Sequence, residues 1–149
     1  MTRVEKSVLV LHSAREMWEL VEDIPAYPEF LPWCSGAEVH ESTGGQTVAT
    51  LHINFHGLRQ QFTTRNTSVA GESLVMDLVK GPFQHLRGEF RFTALQAGAC
   101  KIAFSLEWRF SSRILEKVVG PVFNTIANSM VEAFVTRAGR VYGSASQCR

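Results

Sequence analysis

Cysteine is scarce in this 149-residue chain. Its three cysteines, Cys34, Cys100 and Cys148, are widely spaced and odd in number, and none forms a C-x-x-C. That excludes a disulfide scaffold and a zinc ribbon, and it fits a reducing cytosol. Long apolar runs are missing as well. The N-terminal run Val8 to Leu11 is too short for the core of a signal peptide. The charge-free stretch Val118 to Val131 carries Asn124, Thr125, Asn128 and Ser129, and reads as too short and too polar to cross a bilayer. These absences predict a soluble, cytoplasmic protein with at most a transient contact at the inner membrane surface.

Charge is thin too, at 19% of residues, against about 25% in an average domain. Apolar residues reach 45%, which is ordinary globular composition and excludes a disordered or fibrous chain. The net charge of +1 conceals an uneven split. Residues 1–41 hold eight acids and three bases, a balance of −5, and residues 42–149 hold six acids and twelve bases, a balance of +6. The second portion could face an anionic partner.

The familiar signatures of chemistry are also absent. The chain has no G-x-S-x-G, no cysteine set against a histidine motif and no glycine-rich phosphate loop. Among its five histidines only His52 and His56 share a strand face. Four residues of strand separate them by roughly 13 Å, too far to share one ion unless the strand turns. No metal site and no cofactor are expected. Asp77 and Glu107 fall on outward strand positions, and the inward faces carry no acid or base for proton transfer. These readings predict a protein without enzymatic activity.

What is present is an ordered series of amphipathic elements in a single domain, residues 1–143, followed by a short tail, residues 144–149, that reads as disordered. Val4, Lys6, Val8 and Val10 alternate with Glu5, Ser7, Leu9 and Leu11, a strand pattern. Ser13 followed three residues on by Glu16 reads as a capping box. The helix it opens turns Met17, Trp18, Leu20 and Val21 inward and ends at Pro25. From about residue 37 to residue 110 the chain reads as successive strands, with His56-Gly57 as a tight turn. Lys101 to Phe110 is the clearest, with Ile102, Phe104, Leu106, Trp108 and Phe110 on one face. Short turns imply antiparallel neighbours. A helix from about Ser112 to about Tyr142 closes the domain, with paired apolar residues giving a broad face and Gly120-Pro121 expected to kink it.

The inward list is aromatic and aliphatic: Phe55, Phe62, Met76, Phe90, Phe92, Phe104, Trp108, Phe123, Met130 and Phe134. A closed core and an apolar tunnel for a lipid-like ligand both require these faces, and periodicity does not separate them.

Several short motifs occur in order: YPEFLPWC (Tyr27 to Cys34), TRN (Thr64 to Asn66), GPF (Gly81 to Phe83), ACK (Ala99 to Lys101) and GPVFNTIANSMVEAFVTRA (Gly120 to Ala138). Over about residues 3–143 the chain resembles the coenzyme Q-binding, START-like family, which includes the bacterial ribosome association toxin and carries the label polyketide cyclase/dehydrase. The resemblance implies an α+β helix-grip fold of the START/Bet v 1 type. In that fold a curved antiparallel sheet of six or seven strands wraps a long C-terminal helix, with two short helices after the first strand.

It also implies non-enzymatic binding of a hydrophobic small molecule, a polyprenyl quinone such as ubiquinone or another lipid, in support of respiratory quinone use. The expected cavity lining is Trp33, Phe55, Phe62, Met76, Phe83, Phe92, Phe104, Trp108, Phe123, Met130 and Phe134. Trp33 reads either as a plug for one end of the sheet or as a lid over a ligand entrance. The alternative implied by the resemblance is a toxin that binds the large ribosomal subunit and blocks 70S formation. Arg59, Arg65, Arg91 and Arg109, at outward strand positions, would then face RNA rather than DNA. Glu89 and Glu107, interleaved with them, equally suit a solvated face of mixed charge.

Overall fold

Ser13 caps the first helix reciprocally. Its hydroxyl accepts from the Glu16 amide at 3.1 Å, and its own amide donates to Glu16 Oε1 at 2.9 Å. This capping box starts α1 (Ala14–Glu22), which follows strand β1 (Thr2–Val10). A 3-10 turn (Ile24–Glu29) opens with Pro25, as the fixed φ of proline favours. Six strands succeed it: β2 (Cys34–Thr43), β3 (Gln46–Phe55), β4 (Leu58–Val69), β5 (Ser73–Lys80), β6 (Phe83–Gln96) and β7 (Ala99–Phe110). Helix α2 (Arg113–Tyr142) ends the fold. This computed structural model describes residues 1–143, so the expected tail, with Cys148, lies outside the described residues.

All seven strands form one antiparallel sheet in the order β1-β7-β6-β5-β4-β3-β2. The helix-grip architecture expected from the sequence is therefore the observed one. Hairpin geometry fixes the register. His56 and Gly57 both adopt positive φ, 51° and 82°, as a two-residue turn between β3 and β4 requires. At Gly81, between β5 and β6, a Cβ would stand 2.7 Å from Cβ of Phe62, so the turn presses against β4 only because no side chain intervenes.

Helix α2 lies across the concave face of the sheet and buries Val119, Phe123, Ile126, Ala127, Met130, Val131, Phe134 and Ala138. It is continuous through Gly120-Pro121, where the proline costs one intrahelical bond. The broad apolar face expected of it needs correction, since it narrows at the N-terminal end, where Leu115 and Val119 turn inward but Ile114 and Val118 are exposed. By length and composition alone α2 could cross a membrane, contrary to the inference from its charge-free run, although 39% of its most apolar window is buried in the fold.

Candidate functional site

Between the sheet and α2 the side chains do not meet everywhere. Small or thin residues on β3 (Ala49, Leu51) and neutral polar ones on β4 (Thr64, Asn66) leave a largely enclosed gap of about 40 Å³. Met76 of β5, Leu86 of β6, and Phe104 and Leu106 of β7 continue the wall. Phe123, Ile126 and Met130 of α2 roof it, and Ile24, Tyr27 and Trp33 close one side. The gap is small. Ligand pockets for drug-sized molecules run to about 300–1,000 Å³.

Six of the expected lining residues stand on this cavity: Trp33, Phe62, Met76, Phe104, Phe123 and Met130. Five do not. Phe55 lies at the end of β3, half-buried and edge-on to His56 at 4.2 Å between ring centroids. Phe83 belongs to an aromatic plug at one end of the interior, 5.0 Å from Phe110 and 4.9 Å from Phe123, and Trp108 joins it 4.9 Å from Phe123. Toward the other end Phe134 packs edge-on against Tyr27, Phe30 and Phe90, with Phe92 stacked beside Phe90. These rings fill space rather than border it. The interior is thus two aromatic clusters with a looser aliphatic and polar middle.

Trp33 is 2% exposed, which makes it part of the wall rather than a cover at a mouth. The motif around it is fixed by backbone bonds: the Cys34 amide donates to the Leu31 carbonyl at 3.0 Å, and the Asn54 amide to the Trp33 carbonyl at 2.9 Å. Inside the cavity Tyr27 donates its hydroxyl to the Val21 carbonyl. Burial, then the neighbouring Cys34 and Asp23, push that hydroxyl far above the usual phenol range. Burial likewise raises the thiols of Cys34 and Cys100, so both stay protonated and are poor nucleophiles. Thr64 donates its hydroxyl to Asn66 Oδ1 at 2.8 Å, a polar pair within the cavity wall. Periodicity did not flag Thr64, Asn66 or Tyr27, because a search for apolar faces passes over neutral polar residues. The TRN and YPEFLPWC motifs contained all three.

On the convex face the charges are cross-strand neighbours. Arg65 stands opposite Asp77, Asp77 opposite Arg87, Arg87 opposite Glu107, and Glu107 opposite Arg3, a row of alternating sign across five strands. Arg87 reaches Asp77 at 2.6 Å, and Arg3 reaches Glu107 at 3.3 Å. His85 also meets Glu107, at 2.8 Å. Of the four arginines proposed to face RNA, all are exposed, but Arg91 is engaged by Glu89 at 2.6 Å. Arg59, Arg65 and Arg109 have no carboxylate within 4 Å among the described residues. An open polar cleft of about 790 Å³ beside Arg59 is lined by Glu38, His52, Asn54, Gln60 and Gln61. His52 bonds Glu38 rather than His56, and no group of three possible metal ligands occurs among the described residues.

Residues 10–135 match the family described as polyketide cyclase / dehydrase and lipid transport. The chain belongs to this family. Within it, the chain is 45% identical over 143 residues to the ribosome association toxin RatA of Vibrio cholerae, covering 96% of this chain and 99% of the toxin. It is 27% identical over 135 residues to the mitochondrial coenzyme Q-binding protein COQ10 homolog B of Xenopus laevis, covering 88% of this chain and 55% of that protein. The fold superposes on the Zhui aromatase/cyclase of Streptomyces sp. R1128 with a TM-score of 0.79 at 22% identity, over 98% of both chains.

The START-like family and fold expected from the sequence are thus established, and the exclusion of enzymatic activity is corrected. The family's own description includes cyclase and dehydrase chemistry, and its fold serves an aromatase/cyclase. That exclusion rested on the lack of an inward acid or base. It took no account of the tyrosine hydroxyl, the threonine and the carboxamide that this cavity presents.

Proposed function

We propose that the protein acts on the ribosome, engaging RNA of the large subunit and hindering its association with the small one. The observation that carries this reading is the 45% identity, over nearly the whole of both chains, to a protein named for ribosome association. The convex face offers a plausible chemistry for it. Arg59, Arg65 and Arg109 extend from strands with their guanidinium groups free of carboxylates, and guanidinium binds phosphate in bidentate fashion. Such binding is sequence-tolerant and weakens steeply with salt. The cytoplasm is the compartment where it would operate.

The test is sucrose-gradient sedimentation of ribosomal subunits mixed with the purified protein under conditions that favour joining. The expected result is loss of the 70S peak. The triple variant Arg59→Glu/Arg65→Glu/Arg109→Glu should restore that peak while keeping the wild-type melting temperature. An unchanged 70S fraction with the wild-type protein sinks the reading.

A second reading is favoured by the enclosed cavity: retention of a hydrophobic molecule between sheet and α2, in line with the coenzyme Q-binding name of one relative. Burial of apolar ligand surface would supply about 25 cal/mol per Å², offset by ordering costs. A polyprenyl tail exceeds a 40 Å³ gap, so its entry requires α2 to move away from the sheet. Organic extraction of the purified protein followed by mass spectrometry tests this, with a bound quinone or lipid as the expected finding and an empty extract as the contrary one.

A further inference from the structure

Strands β2, β3 and β4 together build the open cleft of about 790 Å³. Its middle is a row of cross-strand partners, Gly36 of β2, His52 of β3 and Gln61 of β4. A Cβ at position 36 would stand 3.3 Å from Cδ2 of His52, so the imidazole fills the space that a side chain there would take. Glu38 ties the ring by one edge, with Nε2 of His52 2.8 Å from Oε1. The His52 side chain is still 34% exposed, which leaves a planar ring, held in place, at the surface of the cleft.

Glu38 is the only carboxylate on the cleft among the described residues, and 61% of its side chain is exposed. The hydrogen bond from His52, and then the charge of that ring, keep it ionised. Oε1 serves His52, so Oε2 and the second lone pair of Oε1 remain as adjacent acceptors. Two adjacent acceptors of one charge call for a ligand with two parallel N–H donors on one planar edge. Among the common bases guanine presents that pair, N1–H and N2–H, on its Watson–Crick edge. Adenine and cytosine set a donor beside an acceptor there, and uracil has a single donor between two carbonyls.

Cations decide between a free nucleotide and a polymer. Arg59, cross-strand from Asn54, lines the same cleft and can take one phosphate. No other arginine or lysine among the described residues lines it, so a polyphosphate would lack counter-charge. The next outward cation on β4 is Arg65, six residues along the strand. That is roughly 20 Å, a span that several linked nucleotides bridge and one does not. Base edges inside an RNA duplex lie in a groove too deep and narrow for side chains, so the base concerned is an unpaired one.

We propose that the cleft holds an unpaired guanine of RNA, stacked on the His52 imidazole, with its Watson–Crick edge on the Glu38 carboxylate and the adjoining phosphate on Arg59. This rests on the reading that the protein engages ribosomal RNA. It adds the base that is recognised and the residues that recognise it.

The test is fluorescence anisotropy of the intact protein with labelled oligouridine heptamers that carry guanine, adenine or inosine at the centre. The guanine heptamer should bind about tenfold more tightly than the adenine one, the margin of a good bidentate base contact. Inosine, which lacks the 2-amino group, should lose several-fold against guanine in the wild-type protein. Glu38→Gln, at an exposed position, should erase both margins. Arg59→Gln should weaken all three heptamers by the same factor and lower the salt slope by about one.

Equal binding of the three heptamers, or margins that survive Glu38→Gln, overturns the guanine assignment. Binding of guanosine monophosphate as tight as that of the guanine heptamer overturns RNA as the occupant. Failure of every heptamer to bind overturns the cleft as an RNA site. The 70S sedimentation assay judges the ribosome reading separately, so loss of the 70S peak alongside any of these results leaves that reading standing without the cleft.

Discussion

Strand β7 presents two different surfaces from one backbone. Ile102, Phe104, Leu106, Trp108 and Phe110 point toward α2 and are buried, whereas Lys101, Ser105, Glu107 and Arg109 lie on the convex side. Every strand from β3 to β7 shares this division, since successive side chains leave opposite faces of a sheet. The inner face is held by packing, where each ring touches several others. The outer face is held by pairs of charges in water, where each contact contributes little. Stability is therefore concentrated inside, and the outer residues can change to suit a partner without endangering the fold.

The sharpest way to break this comparison is to remove one ring from the inside. Phe134 is 1% exposed and packs against Tyr27, Phe30 and Phe90. Phe134→Ala should destabilise the protein by about 3–5 kcal/mol, read from urea unfolding. A loss below about 1 kcal/mol would mean that the inner face can collapse around the gap. On the outer face Asp77→Asn removes the negative charge that pairs with Arg87 and stands opposite Arg65. Its cost should stay within roughly 1 kcal/mol by the same measurement, because both side chains are about half exposed.

The smallest effect is a pH dependence. The hydrogen bond from His52, reinforced by its charge, holds the Glu38 carboxyl below its ordinary value. A depressed carboxylate contributes stability that is present above the unfolded pKa and is lost as pH falls through the folded one. Replacement His52→Gln should therefore let the Glu38 pKa rise, visible by NMR of its carboxyl carbon, with almost no change in melting temperature. An unmoved Glu38 titration would show that His52 is not its partner in solution.

The division into two faces was largely legible in the sequence. The alternation on β7 named its inward residues from Ile102 to Phe110, missing only the buried Cys100 at its start, and the Ser13 to Glu16 capping box located the start of α1. Strand β2 was the least legible, because Cys34–Thr43 is an edge strand, mostly exposed, with irregularities at Gly36 and between Val39 and Glu41. Alternation needs a buried face to show itself. The cavity was only half legible for a related reason. Periodicity tells which side of the sheet a residue occupies but not how deep along the strand it lies. Phe104 and Trp108 are on the same face of β7, yet Phe104 borders the void and Trp108 belongs to the plug beyond it. Asn66 and Thr64 were hidden because nothing in the residue pattern distinguishes a buried amide from an exposed one.

The order of the strands carries a consequence for biosynthesis. Val4 of β1 lies opposite Leu106 of β7, so the first strand made must wait for nearly the last before it can pair. At about 5–20 residues per second, translation leaves it unpartnered for on the order of five to twenty seconds. The greasy side of the whole sheet stays uncovered longer still, until α2 clears the exit tunnel. A protein built this way completes its inner surface late, only when its last strand and long helix have both been made.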